Sequence, residues 1–319
     1  MKSSEAQDAF RRATCLIPAA GPLPEGIPSV ASVSSAAMLP IDGRPAIFWT
    51  LSYLIDLGFS QFRIGVASRG LAIENYVEFM FGETGNVAWV ECSQKTSVGH
   101  SVAKLCAGLT GPVLVVLGDT VFRFADTEIP VHKPWVLTSD VGSTEEWCVI
   151  SKDRDGRVLQ WHDKESAAPS SHGVIGVYWM PNISNTSTLD FLGKEHIEMS
   201  EIITRAADGS PVFAFDAGEW LDCGHPSTYS ASRRTTLSAR SFNRMTVDDV
   251  FMTVRKESTD TTTLLNEIQY LNALPSKLKA LFPHVIAFSQ DDDRPSVTTE
   301  YYGYPTLSEL VLYHQLAAS

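Results

Sequence analysis

From residue 14 to about residue 117, short β-branched apolar runs alternate with segments whose apolar positions recur at helical spacing. That alternation is the signature of βα units around a mainly parallel sheet. Residues 14–18 read as a first strand that runs out into a long loop. Pro45 stands where a helix would start, and Ile47, Phe48, Leu51, Leu54 and Ile55 then recur at helical spacing until Gly58 ends the pattern. Strands are predicted at 62–66, 87–91 and 113–117, and helices at 71–81 and 100–109. Their natural assembly is an α/β domain with a Rossmann-like open sheet, wound on both faces.

Beyond Asp119 the texture changes. Residues 146–151 and 157–163 read as strands joined by a polar stretch that ends in Asp155-Gly156, which suits a hairpin and predicts an antiparallel insertion. A strand at 174–179, a helix at 197–207 and a strand at 212–215 follow, the last leading into Trp220-Leu221-Asp222. The pattern divides the chain into a tail (1–12), a large domain (13–240) and a small α+β unit (241–319). The small unit has strands at 251–255 and 297–301, a helix at 262–273 and an acidic loop at 291–293.

Composition narrows the function classes. The 319 residues are 44% hydrophobic and 19% charged, with a formal net charge of -12. Lys and Arg never run longer than a pair such as Arg11-Arg12 or Arg233-Arg234, so no footprint for a nucleic-acid backbone is present. The longest apolar runs are strand-sized, far short of the ~20 residues that span a bilayer. The first twelve residues lack the apolar core of a secretory signal, which implies a cytoplasmic address. Cys15, Cys92, Cys106, Cys148 and Cys223 are scattered and mostly sit in apolar runs, as reduced core thiols do.

Seven segments carry chemistry, and their order matters more than any one of them. They are Leu16-Ile17-Pro18-Ala19-Ala20-Gly21; residues 38–45, with Leu39-Pro40; Gln94 five residues before Gly99; Gly118-Asp119 after a buried strand; Asp163-Lys164-Glu165; residues 195–201 around Glu198; and Trp220-Leu221-Asp222-Cys223-Gly224-His225-Pro226. Together they resemble the sugar-1-phosphate nucleotidyltransferases, the family that includes glucose-1-phosphate thymidylyltransferase and mannose-1-phosphate guanylyltransferase. The resemblance covers residues 14–232 and implies a GT-A-like fold. It implies transfer of a nucleotidyl group from a nucleoside triphosphate to a sugar phosphate or similar small molecule, for surface polysaccharide synthesis. Under it, Asp119 and Asp222 hold Mg2+, and Lys164 meets the substrate phosphate. Gln94 reads the base, Gly99 lies against it, Ala19, Ala20, Gly21, Gly118 and Gly176 line the substrate site, and Glu198 holds sugar hydroxyls.

The chemistry agrees with these roles. Bringing two polyanions together calls for a hard divalent cation, and carboxylates at the carboxyl ends of strands suit that task. Taken singly, both aspartates also read as turn residues, Lys164 as a solvated hairpin lysine, Gln94 as a surface residue and Glu198 as a residue of a helix's wet face. Homo-oligomers are compatible with the sequence, which does not address them.

The resemblance breaks at the phosphate loop. The family follows its first glycines with Gly-x-Gly-Thr-Arg and a lysine before Leu-Pro, whereas here the arginine position reads as Glu25 and the lysine position as Ala36. No Lys or Arg occurs between Arg12 and Arg44, and Pro22, Pro24 and Pro28 remove backbone donors. A triphosphate carries about four negative charges, each costing several kcal/mol if left unneutralised in a poorly hydrated site. Mg-dependent turnover of ordinary triphosphates is therefore expected to be weak or absent. The alternative is a catalytically inactive nucleotide-sugar-binding or scaffolding module.

In the small unit, Val254-Arg255-Lys256, Glu267 and residues 300–307 resemble the N-terminal lobe of aminoglycoside or choline kinase-like phosphotransferases. Lys256 would be the nucleotide-binding lysine and Glu267 its helix partner. An ordinary surface ion pair, worth under ~1 kcal/mol, is the competing reading. The downstream catalytic residues of such enzymes do not follow. The expectation is a piece of a longer fusion or a truncation, without kinase activity.

Overall fold

A computed structural model describes residues 4–25, 27, 35–68, 70–125, 129–165, 168–183, 194, 196–235, 243–248, 250–289 and 295–302. Gly26, Pro28, Glu195, the acidic loop at 291–293 and residues 303–307 of the kinase-like resemblance lie outside these residues.

The residues read as a tail include helix α1 (Ser4–Arg12), whose Ala6, Ala9 and Phe10 are buried. Strand β1 (Thr14–Pro18) follows, and the hairpin β2 (Pro40–Ile41) and β3 (Arg44–Pro45) leads into helix α2 (Ala46–Asp56). Pro45 is the N-cap of α2, as its fixed φ allows, and the buried face is Ala46, Ile47, Thr50, Leu51 and Leu54. Strand β4 (Gln61–Val66), helix α3 (Leu71–Phe81), strand β5 (Asn86–Glu91), helix α4 (Val98–Cys106) and strand β6 (Val113–Val116) complete the βα units. Strands β5, β4, β1 and β6 pair in that order, all parallel.

The sheet then becomes mixed. Strand β7 (Thr120–Phe124) leaves immediately after β6, followed by β8 (Trp135–Asp140), β9 (Cys148–Lys152), β10 (Val158–Asp163) and β11 (His172–Met180). Strand β11 is antiparallel to both β6 and β8. The expected insertion is present: β9 and β10 pair antiparallel, with Gly156 at φ 80 in their turn. After helix α5 (Met199–Ala206), strand β12 (Phe213–Asp222) runs as one ten-residue strand, longer than expected. Its first half pairs parallel with β8 and its second half antiparallel with β7. Helix α6 (Pro226–Thr235) closes the domain.

Alternation along the strands divides the core into two layers. Ile17, Leu114, Val116, Val177 and Trp179 face a cluster that includes α1, α2 and α3. Leu16, Val113, Val115, Tyr178 and Met180 face α4 and α5. Four cysteines are buried, Cys148 is half-buried, and all five are free thiols. Burial pushes these thiols up, Cys106 to about 12.

The small unit is a four-stranded antiparallel sheet of β13 (Asn243–Asp248), β14 (Thr253–Ser258), β15 (Val285–Ser289) and β16 (Ser296–Glu300), in the order β13-β14-β16-β15. Helix α7 (Thr261–Ala273) packs on it through Leu264 and Ile268 against Val297, and helix α8 (Ser276–Lys279) follows. The strand expected at 251–255 starts at Thr253 instead. The apolar run Val250-Phe251-Met252 forms the exposed turn before it, with Met252 at φ 50. Among the described residues no helix is long and apolar enough to cross a membrane.

Candidate active site at the carboxyl ends of the strands

The turn after β6 is held from three directions. Leu117 donates its N–H to Gly176 O at 2.9 Å, Gly118 donates to Pro18 O at 3.2 Å, and Thr120 donates to Leu117 O at 3.1 Å. The buried Thr120 hydroxyl bonds Ile175 O at 2.9 Å, while the Thr50 hydroxyl bonds Thr120 O at 2.7 Å. Gly118 must lack a side chain, because a Cβ would stand 3.0 Å from both Cα and Cβ of Ala19. Gly176, at φ 84, lies in the β11 irregularity with Leu117 and Thr120 crowded against it. These contacts set the position of Asp119.

Asp222, the last residue of β12, comes to the same place because its partner in the ladder is Thr120. Cys223 then donates its N–H to Asp119 O at 2.8 Å. The two carboxylates converge over Gly224, where a Cβ would stand 2.5 Å from Asp119 Oδ2 and 3.3 Å from Asp222 Oδ1. Burial, and then the Asp222 charge, push the Asp119 carboxyl up to about 6. Asp222 Oδ2 accepts from His225 N at 3.0 Å, from His225 Nδ1 at 3.0 Å and from the Thr228 hydroxyl. Burial lowers the His225 pKa, but the hydrogen bond and charge of Asp222 outweigh it and the net shift is upward.

Asp119 and Gly224 line a cavity of about 300 Å3. Ala19, Ala20, Gly21, Gln94, Gly118, Asp119 and Gly224 all line it, as do Pro22, Pro24 and Ala36. Ser35, buried, donates its hydroxyl to Ala19 O at 2.8 Å and pins the far side of the loop to β1. No Lys or Arg is among the described lining residues.

Other sequence-predicted residues stand apart from this cavity. Gly99 is buried in the first turn of α4, and a Cβ there would lie 2.4 Å from Ile197 O, so its glycine serves the packing of α4 on the 196–198 segment. Glu198 is the N-cap of α5, in a reciprocal box with Glu201, and also pairs with His196 at 2.5 Å. Lys164 is exposed, at φ 57, in the turn after β10, and its N–H donates to Trp147 O at 3.1 Å. In the small unit, Lys256 Nζ and Glu267 Oε2 stand 2.6 Å apart. His225, Thr228 and Trp147 were given no role by sequence reasoning. The available signal was the three-residue spacing from Asp222 to His225 before the helix-starting Pro226.

Among the described residues no group of three or more His, Cys, Asp or Glu could hold a metal ion. Two convergent carboxylates, Asp119 in the cavity wall and Asp222 beside it across Gly224, still fit Mg2+, which is commonly held by one or two carboxylates plus substrate phosphates.

The mixed α/β sheet has the same fold as solved nucleotidyltransferases, which match it over about 70% of the chain. A protein from Bacillus anthracis assigned as a glucose-1-phosphate thymidylyltransferase superposes with TM-score 0.59 and 17% identity, covering 72% of this chain and 97% of that one. A UDP-glucose pyrophosphorylase complexed with UDP-glucose gives TM-score 0.57 and 20% identity, covering 70% and 97%. The inositol-1-phosphate CTP transferase from T. maritima gives 0.56 and 16%, covering 73% and 98%. In sequence, the bifunctional protein GlmU of Methanococcus maripaludis strain C7 is 24% identical over 203 residues, or 62% of this chain and 48% of the relative. The chain thus spans about half the length of the curated relatives it matches. No family model matches.

Proposed function

We propose that this chain carries a nucleotidyltransferase-type site that joins a nucleotidyl group to a sugar phosphate, an activation step of the kind polysaccharide assembly uses. The observation that carries the reading is the meeting of Asp119 and Asp222 over Gly224 at the edge of the 300 Å3 cavity. Asp119 and Asp222 would hold Mg2+, whose chemistry is to neutralise charge gathering between the reacting phosphates. Ala19, Ala20 and Gly21 give the nucleoside a flat approach, and Gln94 offers both donor and acceptor to a base. The Lys164 turn would meet the sugar phosphate. Gly118 and Gly176 keep the Asp119 turn close to β1 and β11, which fixes the carboxylate before substrate arrives.

The lining without Lys or Arg supports a second reading, a nucleotide-sugar-binding module with little turnover. A diphosphate sugar brings less charge than a triphosphate, so it suffers less from the missing cations. In the small unit, the Lys256–Glu267 pair agrees with a kinase-like N-lobe.

Pyrophosphate release is measured with each of the four common triphosphates, a panel of sugar 1-phosphates and Mg2+, beside calorimetric titration of UDP-glucose and UTP. Slow, Mg-dependent release that vanishes in Asp222→Asn supports the transferase. Metal-independent UDP-glucose binding without release supports the module, and no binding of either nucleotide overturns both.

A further inference from the structure

His225 makes two of the three contacts to one oxygen of Asp222. Ionised, that carboxylate only accepts, so Nδ1 carries the ring hydrogen that faces it. Three donors on Oδ2 remove the rotation that would otherwise exchange the two oxygens, and they leave Oδ1 on the side of Gly224 and Asp119. Asp222 is only 4% exposed, so bulk water cannot take over the work of those donors.

The imidazole is itself fixed. It packs on Trp147 with ring centroids 4.3 Å apart, and Trp147 is braced edge-on by Trp220 at 5.0 Å. The backbone carbonyl of the same Trp147 accepts the Lys164 N–H at 3.1 Å, in a turn whose left-handed φ of 57 needs outside support. One aromatic residue therefore touches both the holder of Asp222 and the turn that carries the proposed phosphate lysine.

We infer that His225 is a positioning residue: with Thr228 it presents Asp222 Oδ1 to a divalent cation, and through Trp147 it ties that carboxylate to the Lys164 turn. This rests on the metal-site reading above.

The test is Mn2+ binding to the full chain, titrated by electron paramagnetic resonance without nucleotide. Asparagine places its side-chain N–H near the position of Nδ1, whereas glutamine places it near Nε2. His225→Asn is expected to bind Mn2+ within about threefold of the unaltered chain. His225→Gln should bind about ten- to a hundredfold more weakly, the usual loss when a partner of a metal ligand is removed. Thr228→Ser should retain affinity and Thr228→Val should lose it. This second pair decides the matter if His225→Gln does not fold.

Equal Mn2+ affinity in His225→Gln and the unaltered chain, both folded, overturns the inference and leaves the metal site standing. If the unaltered chain binds Mn2+ no better than Asp119→Asn, the metal reading itself falls and the inference falls with it.

Discussion

The two walls of the cleft are built to different standards. On the carboxylate wall, Asp222 is held by ladder pairing with Thr120 and by the His225 and Thr228 donors, Asp119 by a turn whose Thr120 is pinned through buried hydroxyls, and Gly118 and Gly224 let the chains touch. On the opposite wall, the loop after β1 has Pro22, Pro24 and the exposed Glu25 where a triphosphate would need cations and backbone donors. Two acidic groups forced together are unfavourable unless a ligand repays them, so the first wall speaks for a cation. The second wall speaks against a heavily charged nucleotide. Under the proposed function, the difference puts the departure at substrate charge rather than at the metal.

The largest effect belongs to the acidic pair. Asp119→Asn should weaken Mn2+ binding by more than about a hundredfold, since one of the two proposed protein ligands is lost. The same substitution relieves a buried like-charge contact, so the metal-free unfolding midpoint should rise by about 2–4 °C, the effect of roughly 1 kcal/mol in a domain of this size. Loss of both metal binding and thermal stability would mean that the pair is merely structural.

Next comes the deficient wall. Glu25→Arg replaces a repulsion by an attraction, and calorimetry should show UTP binding about tenfold tighter, as expected for a charge-assisted contact of ~1.4 kcal/mol. No change would show that the phosphates lie elsewhere.

A pH titration separates the walls further. Asp119, raised to about 6, must lose its proton to hold a cation. Mn2+ affinity should therefore be steady above pH 7 and fall by about tenfold per unit below pH 6. The sign for stability is the reverse. An aspartate raised in the folded state destabilises the metal-free fold above pH 6, and that cost fades as pH falls toward the ordinary aspartate value. Chemical denaturation of the metal-free chain checks it: Asp119→Asn should stabilise the fold more at pH 7 than at pH 5.

The smallest effect concerns Gly99. Gly99→Ala should cost about 1–3 kcal/mol through the Ile197 carbonyl, while UDP-glucose affinity of the folded protein stays within about twofold. A larger loss of affinity would return this glycine to the base site.

What the chain disclosed in advance depended on whether a segment's partners were local. The helix from Ala46 and that from Leu71 carry their buried faces at helical spacing, so their bounds were readable to within a residue or two. Strand β7 begins directly after the Asp119 turn, and its partner β12 arrives some hundred residues later, so nothing near it signalled a strand. Strand β13, Asn243–Asp248, alternates exposed with half-covered residues and so lacks the buried apolar face that marks a strand. At the site, the aspartates were found through ordered motifs that resemble a family. The His225 and Thr228 contacts depend on a turn whose shape no spacing displays. The capping role of Glu198 was not legible because a glutamate seldom leads a capping box.

Helix α1 carries a practical consequence. Phe10 stacks on Phe59 at 4.7 Å and meets the edge of Trp179 at 5.8 Å. Trimming the chain back to Thr14 would bare this aromatic slab to water, so a shortened preparation should turn sticky and prone to clump. A purification handle is better joined ahead of residue 4 than exchanged for the helix.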